Sequence, residues 1–349
     1  MSILLKGLYY IVLMYLTRFV FFVFFFLPYL VKAQLDYQSY YSSINLAEHF
    51  YIKGEFSKSD SCFKKAFSTA GLNTFNQDYL FAAVNALGMK DTTLTCSYLT
   101  LFASKGGRVE DLRNKYYFNI YLDSLCPQLY SLVFYTSKKH FKKNMLLCYK
   151  AYKKTLNKKL IRKVNRLVFI DQRIARNFLV VKTSKKIMFK ITGIFDPITF
   201  KKLIAICEKY GWPGYNLIGE NKPNGKATLG GVELLIRHFT KENLKKIEPY
   251  ILHSIQQLQT HPSSWATCMD YIYMATDIPV EKGQPRKAIL KQIYGTMYRR
   301  KKELIPFGKI DEVNANRALL FLSNIEDYAK ISGKKLPTEE VQIITENKK

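Results

Sequence analysis

Apolar residues after Asn45 recur at the three- and four-residue spacing of amphipathic helices, and this feature restricts the possible folds more than any other in the chain. Two series of residues follow each other at a shift of 36 positions. The first series is Ala47, Phe50, Gly54, Phe56, Ser59, Phe63 and Ala66, and the second is Ala83, Ala86, Lys90, Thr92, Thr95, Leu99 and Phe102. In each unit, small residues let two antiparallel helices approach, and large apolar residues fill the groove behind the turn. The pattern predicts helical hairpins and a mainly α fold.

The first of these units resembles a tetratricopeptide repeat through Ala47, Gly54-Glu55-Phe56, Phe63 and Ala66. The second unit, residues 79–105, is looser, and a weaker third one covers residues 111–137. Helix pairs of this kind need stacked neighbours to bury their faces. The resemblance implies that residues 34–137 present a concave face to a protein partner. The alternative is that they only support the second half of the chain.

The first 33 residues form an apolar segment with three basic residues, Lys6, Arg18 and Lys32, and no acidic one. Residues 19–31 have the length of the apolar core of a secretory signal, and Val31-Lys32-Ala33 places small residues where a signal peptidase cuts. The alternative is a membrane anchor over residues 8–31, with Arg18 inside it. We therefore predict a protein exported to the periplasm or cell envelope of a bacterium, with this segment either removed or kept as an anchor.

The formal net charge of the chain is +27, and leaving out Lys6, Arg18 and Lys32 gives +24 for the exported part. Outside the cytoplasm, such a charge favours an anionic lipid, a polysaccharide or an acidic protein as the partner and excludes nucleic acid. The alternative is that a Lys-, Tyr- and Phe-rich composition reflects the genome, and that the lysines only keep the protein soluble.

Six cysteines are spread along the chain without a Cys-x-x-Cys pair: Cys62, Cys96, Cys126, Cys148, Cys207 and Cys268. No histidine stands at metal-ligand spacing, so the sequence predicts neither a zinc site nor another cofactor. An oxidising periplasm would allow disulfides. Scattered cysteines at helical positions are, however, typical of small buried apolar residues.

Residues 138–170 form a basic connector, within a stretch from residue 124 to residue 170 that has no acidic residue. Its basic residues recur largely three or four positions apart, opposite an apolar stripe. This predicts one or two amphipathic helices with a cationic face. The candidate anion-binding residues on it are Lys142, Lys143, Lys150, Lys153, Lys154 and Lys158. Such a face either docks on anionic lipid or another polyanion, or is a solvated surface of helices packed on the hairpins.

Residues 171–330 are predicted to form a second, mostly helical domain, followed by a polar tail over residues 331–349. Asp196-Pro197 predicts the start of a helix with proline at its first position. Ser263 is predicted to cap another helix. Alternating residues within 288–307 allow one small β-hairpin.

This second domain resembles a bacterial domain family of unknown function, typical of Bacteroidetes-type proteins in which it follows a signal peptide or helical repeats. The motifs that carry the resemblance occur in the family's order: Asp171-Gln172, Gly211-Trp212-Pro213, Gly219, His238, Asp270, Tyr294-Gly295-Thr296 and Arg317. The resemblance implies a mostly helical domain with no assigned activity.

Several family positions differ in this chain. Arg237-His238-Phe239-Thr240 stands where the family has Gln-His-Ala-Asp, Tyr271 replaces an Arg after Asp270, and Met297 replaces a Gln after Thr296. The Arg expected shortly after Asp-Gln is also displaced. Polar groups that would meet at one ligand are therefore missing. If the family is enzymatic, this implies a weakened or altered activity.

The sequence thus predicts an exported envelope protein that acts by binding a partner. The alternative is an envelope hydrolase or transferase, with His238 as general base, Asp270 as its orienter or as an acid, and Arg317 as an anion clamp. The further residues of such a binding site would be Asp171, Gln172, Trp212, Tyr294 and Thr296. His238, Asp270 and Trp212 are also compatible with purely structural roles. Cytoplasmic nucleic-acid binding is a third possibility, which requires the export prediction to be wrong.

Overall fold

Helices make up most of the described chain, which confirms the prediction of a mainly α fold. The computed structural model describes residues 36–71, 73–108, 139–180, 185–219, 231–236, 239–276, 292–297, 304 and 308–337. The helices are α1 (Tyr37–Ile52), α2 (Phe56–Ala70), α3 (Asn76–Gly88), α4 (Thr92–Ser104), α5 (Lys139–Thr155), α6 (Lys158–Val180), α7 (Lys185–Tyr210), α8 (Tyr215–Ile218), α9 (Gly231–Ile236), α10 (Lys241–Gln256), α11 (Pro262–Thr276), α12 (Ile310–Leu319) and α13 (Ile325–Ile331).

Two helical hairpins, α1–α2 and α3–α4, form the first part of the described chain. Both turns contain a residue in the left-handed region: Gly54, with φ 75°, and Lys90, with φ 62°, which stand at equivalent positions of the two series. In the first hairpin the Ser59 hydroxyl donates to the Ala47 carbonyl at 2.8 Å, so the small residue predicted there lies at a close helix contact. The likeness to a tetratricopeptide repeat stays a prediction, and residues 111–137 lie outside the description.

Buried tyrosine–aspartate pairs join the two hairpins. The Tyr98 hydroxyl of α4 donates to Asp60 of α2 at 2.7 Å, and the Tyr40 hydroxyl of α1 donates to Asp78 of α3. Each pair therefore links a helix of one hairpin to the equivalent helix of the other. Because all four residues are almost completely buried, these contacts fix how the hairpins stack.

We expect Tyr98→Phe to lower the free energy of unfolding by about 1–2 kcal/mol, because it removes one donor to the buried Asp60 carboxylate. Urea unfolding followed by circular dichroism measures this change. Tyr37→Phe removes a hydroxyl from a partly exposed ring and serves as the matched control. Equal losses in the two variants would show that the Tyr98–Asp60 hydrogen bond does not stabilise the stack.

The basic connector forms two helices, α5 and the first part of α6. Asn157 lies between them and caps α6, since its side-chain oxygen accepts from the Leu160 amide at 3.0 Å. The inward residues Met145, Leu160 and Val164 are buried, so the apolar stripe packs within the fold. Helix α6 continues through residue 171, where the second domain was predicted to begin.

The predicted helix start at Asp196-Pro197 is wrong, because α7 begins at Lys185 and Pro197 lies inside it. Proline lacks an amide hydrogen and leaves one carbonyl of the preceding turn without its helical partner, which a long helix can tolerate. At the other end, Gly211 has φ 74° and its amide donates to the Cys207 carbonyl at 2.8 Å. The Gly-Trp-Pro segment therefore ends this helix, as its composition indicates.

Ser263 does not cap α11, which is a second correction. The helix begins at Pro262, and the Nδ1 atom of His261 accepts from the Ser263 amide at 3.2 Å. Because Pro262 occupies the first helical position, the residue before it, His261, caps the helix.

Of the predicted β-hairpin, only residues 292–297 and 304 are described. The Leu304 amide donates to the Lys335 carbonyl at 2.9 Å, so this residue pairs with a segment outside the predicted hairpin.

Helix α1 also contacts the last part of the chain. The Tyr41 hydroxyl donates to the Ile255 carbonyl at 3.0 Å, and the Asn45 amide group donates to the Phe321 carbonyl at 3.1 Å. His49 lies 2.9 Å from Asp327 of α13. Residues before 105 and residues after 250 therefore share one seam, and the candidate site lies along it.

Among the helices described, none is both long and apolar enough to cross a membrane. The predicted export segment, residues 1–33, lies outside the described residues.

Candidate functional site

A cavity of about 230 Å³ lies at the seam between α1, α3 and the C-terminal segments. Its polar lining residues are Asn45, Glu48, Gln77, Asp78, His261, Ser263, Thr267, Thr296, Arg317 and Ser323. Its apolar and aromatic wall consists of Tyr41, Ile44, Leu80, Phe81, Pro262, Phe321, Leu322 and Tyr328. A concave space with an apolar wall and a few converging polar groups is typical of a binding site for a small molecule.

Glu48 is the acidic residue that α1 brings to the cavity. Burial raises the pKa of its carboxyl to about 8, and the nearby acids Asp78 and Asp327 act in the same direction. A hydrogen bond with Ser323 and the positive charge of Arg317 oppose this shift of the pKa without cancelling it. Near neutral pH, Glu48 is therefore mostly protonated and can donate a hydrogen bond or release a proton.

Asp78 brings a second carboxyl group from α3. Burial raises its pKa to about 7, although the hydrogen bond donated by Tyr40 favours the charged form. A group with its pKa at this value changes charge readily near neutral pH. The cavity thus holds two acids, and the charge of each depends on what lies beside it.

His261 is neutral and lies at the start of α11. Its Nδ1 atom accepts from the Ser263 amide, which is only a donor, so the ring proton is on Nε2. The Ser263 hydroxyl lies 2.7 Å from the same nitrogen. Burial lowers the pKa of His261 to about 3. This histidine therefore adds a neutral group to the cavity and no positive charge.

Arg317 supplies the positive charge of the cavity, and only 2% of its surface is exposed. Its Nε atom donates to the Ser323 carbonyl at 2.5 Å and its Nη1 atom donates to the Tyr294 carbonyl at 2.8 Å. The guanidinium group lies 4.7 Å from the centre of the Tyr328 ring, within the range of a cation–π contact. These contacts fix a planar cation in the cavity that Glu48 and Asp78 also line.

Asp270 organises the turn that supports Arg317. One carboxylate oxygen accepts from the amides of Ile293 and Tyr294 at 2.7 and 2.8 Å, and the other accepts from the amide and hydroxyl of Thr296, both at 2.7 Å. Gly295, with φ 67°, lets the chain wrap around the carboxylate. Burial raises the pKa of Asp270, although all four hydrogen bonds favour its charged form. In this arrangement, Asp270 holds the turn in place.

Four of the predicted site residues, Asp270, Tyr294, Thr296 and Arg317, come together at this turn, and Thr296 and Arg317 also line the cavity. His238 lies outside the described residues, so its role as a base stays a prediction. Asp171 is partly buried in α6 and does not line the cavity. Gln172 is in the same helix, and its side chain is outside the description.

Trp212 is buried away from this cavity, in the turn after α7. Next to it, Gly214 lies so close to the backbone of Gln259 that a Cβ atom there would be 2.3 Å from the Gln259 carbonyl oxygen. The Tyr215 amide donates to this same carbonyl at 2.7 Å. These contacts give the Gly-Trp-Pro-Gly segment a packing role between α7 and the end of α10.

The six predicted anion-binding lysines are all exposed, on α5 and at the start of α6. Two leucines of α5, Leu146 and Leu147, are 47% and 53% exposed on the same helix. The five described cysteines form no disulfide with one another, and Cys126 is outside the description. Within the described part of the chain, no group of three or more His, Cys, Asp or Glu side chains could hold a metal ion.

Glu48, Asp78 and His261 were not among the residues predicted for the site. The sequence offers one weak signal for Glu48, which is the only acidic residue of α1. Asp78 lies near the start of an otherwise uncharged helix, where an acid is common because its charge interacts favourably with the helix dipole. Neither pattern distinguishes a residue of a cavity from an ordinary helical residue.

Comparison of the chain with models of known protein families, with curated proteins and with solved structures finds no match.

Proposed function

We propose that this chain is a binding protein of the bacterial cell envelope, whose cavity takes a small zwitterion of the amino-acid class. The envelope location rests on the predicted export segment and not on the described structure. The ligand class rests on one observation: the guanidinium group of Arg317 and the carboxyl groups of Glu48 and Asp78 line the same cavity.

A fixed cation and two acids that can ionise suit a ligand that carries both a negative and a positive charge. A carboxylate beside Arg317 gains a charge-assisted interaction with a planar donor group. An ammonium group beside Glu48 or Asp78 favours the ionised form of these acids. Because burial holds the pKa values of the two acids at about 8 and 7, the binding of such a cation would release protons near neutral pH.

The size and wall of the cavity support a ligand of this class. Pockets for drug-sized molecules measure roughly 300–1,000 Å³, and the cavity of about 230 Å³ is smaller. Ile44, Leu80, Phe81 and Leu322 form an apolar wall that suits an aliphatic or aromatic side chain.

Binding is preferred to catalysis because Asp270, the acid of the enzymatic alternative, already accepts four hydrogen bonds from one turn. A carboxylate with this many donors is suited to holding the backbone. The enzymatic alternative with His238 stays a prediction, as does nucleic-acid binding in the cytoplasm.

Thermal unfolding of the full chain in the presence of each standard amino acid tests the proposal. We expect at least one amino acid to stabilise the protein, by about 2.7 kcal/mol at a concentration of 100 times its Kd. The matched amine without the carboxylate and the matched acid without the ammonium group should stabilise it less. Stabilisation by no amino acid, or equally by all three compounds, would contradict the proposal.

Two variants test whether the stabilisation by an amino acid depends on the cavity. Glu48→Gln and Asp78→Asn copy the protonated acids and should keep the fold while weakening the response to the ligand. Asp60→Asn changes the other buried acid that accepts from a tyrosine, and Asp60 does not line the cavity. This control should respond to the ligand like the unmodified chain.

A further inference from the structure

Helix α5 presents two different faces. Met145 is 1% exposed and faces the fold, and the Tyr152 hydroxyl donates to the Tyr215 carbonyl at 3.1 Å. The outward face carries exposed lysines and two exposed leucines: Lys142, Lys143, Leu146, Leu147, Lys150, Lys153 and Lys154. We call this the lysine–leucine face.

The leucines lie among the lysines on this face. Residues three and four positions apart are neighbours on a helix surface. Leu146 therefore lies next to Lys142, Lys143 and Lys150, and Leu147 lies next to Lys143 and Lys150. Since Met145 and Tyr152 are packed against the rest of the protein, this face is already formed and points outward in the folded chain.

We propose that the lysine–leucine face docks on a membrane surface that contains anionic lipids, with the lysines at the headgroups and Leu146 and Leu147 among the upper acyl chains. An interfacial helix of this kind combines basic residues with apolar ones that enter the headgroup–acyl boundary. Helix α5 contributes only basic charges to this face, because residues 124–170 contain no acid. Its charge is therefore complementary to an anionic leaflet.

A lipid surface suits this face better than a polysaccharide or a nucleic acid, because only the bilayer offers an apolar phase for the two leucines. Lysine also acts as a diffuse point charge, whereas the recognition of individual phosphates favours the forked guanidinium of arginine. Helix α6 also places an exposed apolar residue beside an exposed basic one. Phe169 is 60% exposed and lies three residues after the exposed Arg166.

Flotation of the full chain with lipid vesicles tests the docking. The vesicles contain phosphatidylcholine alone, or equal parts of phosphatidylcholine and phosphatidylglycerol. The full chain is used in every arm, so that the apolar N-terminal segment contributes equally. We expect tighter binding to the anionic vesicles, weakened by salt. Equal binding to both vesicle types, or no effect of salt, would overturn the proposal.

Two sets of variants test the face itself. Replacing Lys143, Lys150 and Lys154 by Gln should weaken binding to the anionic vesicles roughly 100-fold, at about fivefold for each lysine. The same change at Lys201, Lys245 and Lys246, which are exposed on α7 and α10, should have a much smaller effect. Equal losses in the two triple variants would show that only the net charge matters and would overturn the proposal.

The leucines distinguish lipid from other polyanions. Leu146→Ser with Leu147→Ser should weaken vesicle binding about tenfold and leave binding to heparin or duplex DNA unchanged. Leu319→Ser is the control, because Leu319 is 75% exposed on α12. Unchanged vesicle binding of the double variant, or tighter binding of the unmodified chain to heparin or DNA than to vesicles, would overturn the assignment to lipid.

Discussion

Replacing Asp270 by Asn is expected to lower the free energy of unfolding by about 4 kcal/mol. The carboxylate accepts four hydrogen bonds, two at each oxygen. An asparagine side chain keeps one acceptor oxygen and turns the other position into a donor. Two of the four donors would then face an NH₂ group in a buried site. Chemical unfolding followed by circular dichroism measures the loss.

The matched control is Asp311→Asn, which changes an exposed acid of α12. It should alter the free energy of unfolding by no more than about 0.5 kcal/mol. Thr296→Val removes only one of the four donors to Asp270 and should cost an intermediate amount. If Asp270→Asn were as stable as the control, the carboxylate would not be what holds the turn.

The second large effect is a gain of stability in Glu48→Gln at alkaline pH. Burial raises the pKa of Glu48 in the folded chain to about 8, above its usual value of 4.5. Between these two values the folded chain holds a proton that the unfolded chain has released. Raising the pH in this interval therefore favours unfolding, and the stability keeps falling until the pH passes about 8.

Other buried groups also make the stability depend on pH, so the effect of Glu48 is clearest in only part of this pH interval. The lowered pKa of His261, about 3 against a usual 6.5, makes stability rise with pH between these two values. Asp78, with its pKa raised to about 7 from 3.8, acts in the same direction as Glu48. Between pH 6.5 and pH 8 the two acids dominate, and Glu48 alone should lower the stability of the unmodified chain by about 2 kcal/mol.

Glu48→Gln should remove most of this fall with pH and be more stable than the unmodified chain by about 4 kcal/mol at pH 8. Free energies of unfolding measured at pH 6.5, 7.2 and roughly 8 test both statements. Glu208→Gln, on an exposed position of α7, is the control and should follow the unmodified chain. A Glu48→Gln variant with the same pH dependence as the unmodified chain would show that Glu48 is ionised and well solvated in the fold.

The sequence predicts the local structure best where apolar residues are periodic. Helices α1 to α4 follow from the two series that begin at Ala47 and Ala83, and the basic helices follow from the spacing of their lysines. Each of these helices buries one apolar stripe against the core. The periodic pattern in the sequence therefore marks the residues that make the packing contacts. The left-handed Lys90 at the position of Gly54 shows that the turn geometry is kept even without glycine.

Helix boundaries depend on competition between neighbouring residues, and here the sequence was misleading. A proline is usually found at a helix start, yet Pro197 lies in the interior of the long α7. Ser263 is a good capping residue, but Pro262 before it fits the first helical position and His261 provides the acceptor. In both cases, a local preference of about 1–3 kcal/mol did not decide where the helix begins.

The candidate site was predictable only in part. Asp270, Tyr294, Thr296 and Arg317 stand out through motifs, and the structure brings them together. Their contacts were not predictable, because no spacing indicates that the Asp270 carboxylate binds the turn or that Arg317 bonds to its backbone. Glu48, Asp78 and His261 come from three distant segments, and only the packing of α1 and α3 on the C-terminal part makes them neighbours.

The binding of a zwitterion in the cavity is tested most directly by isothermal titration calorimetry with the most stabilising amino acid. The titrations use the full chain near pH 7.5, in two buffers that differ in their enthalpy of ionisation. We expect one ligand per chain, with proton release that is reduced in Glu48→Gln and Asp78→Asn and retained in Asp60→Asn. Binding without proton release, or identical titrations of all the variants, would contradict a site formed by Glu48, Asp78 and Arg317.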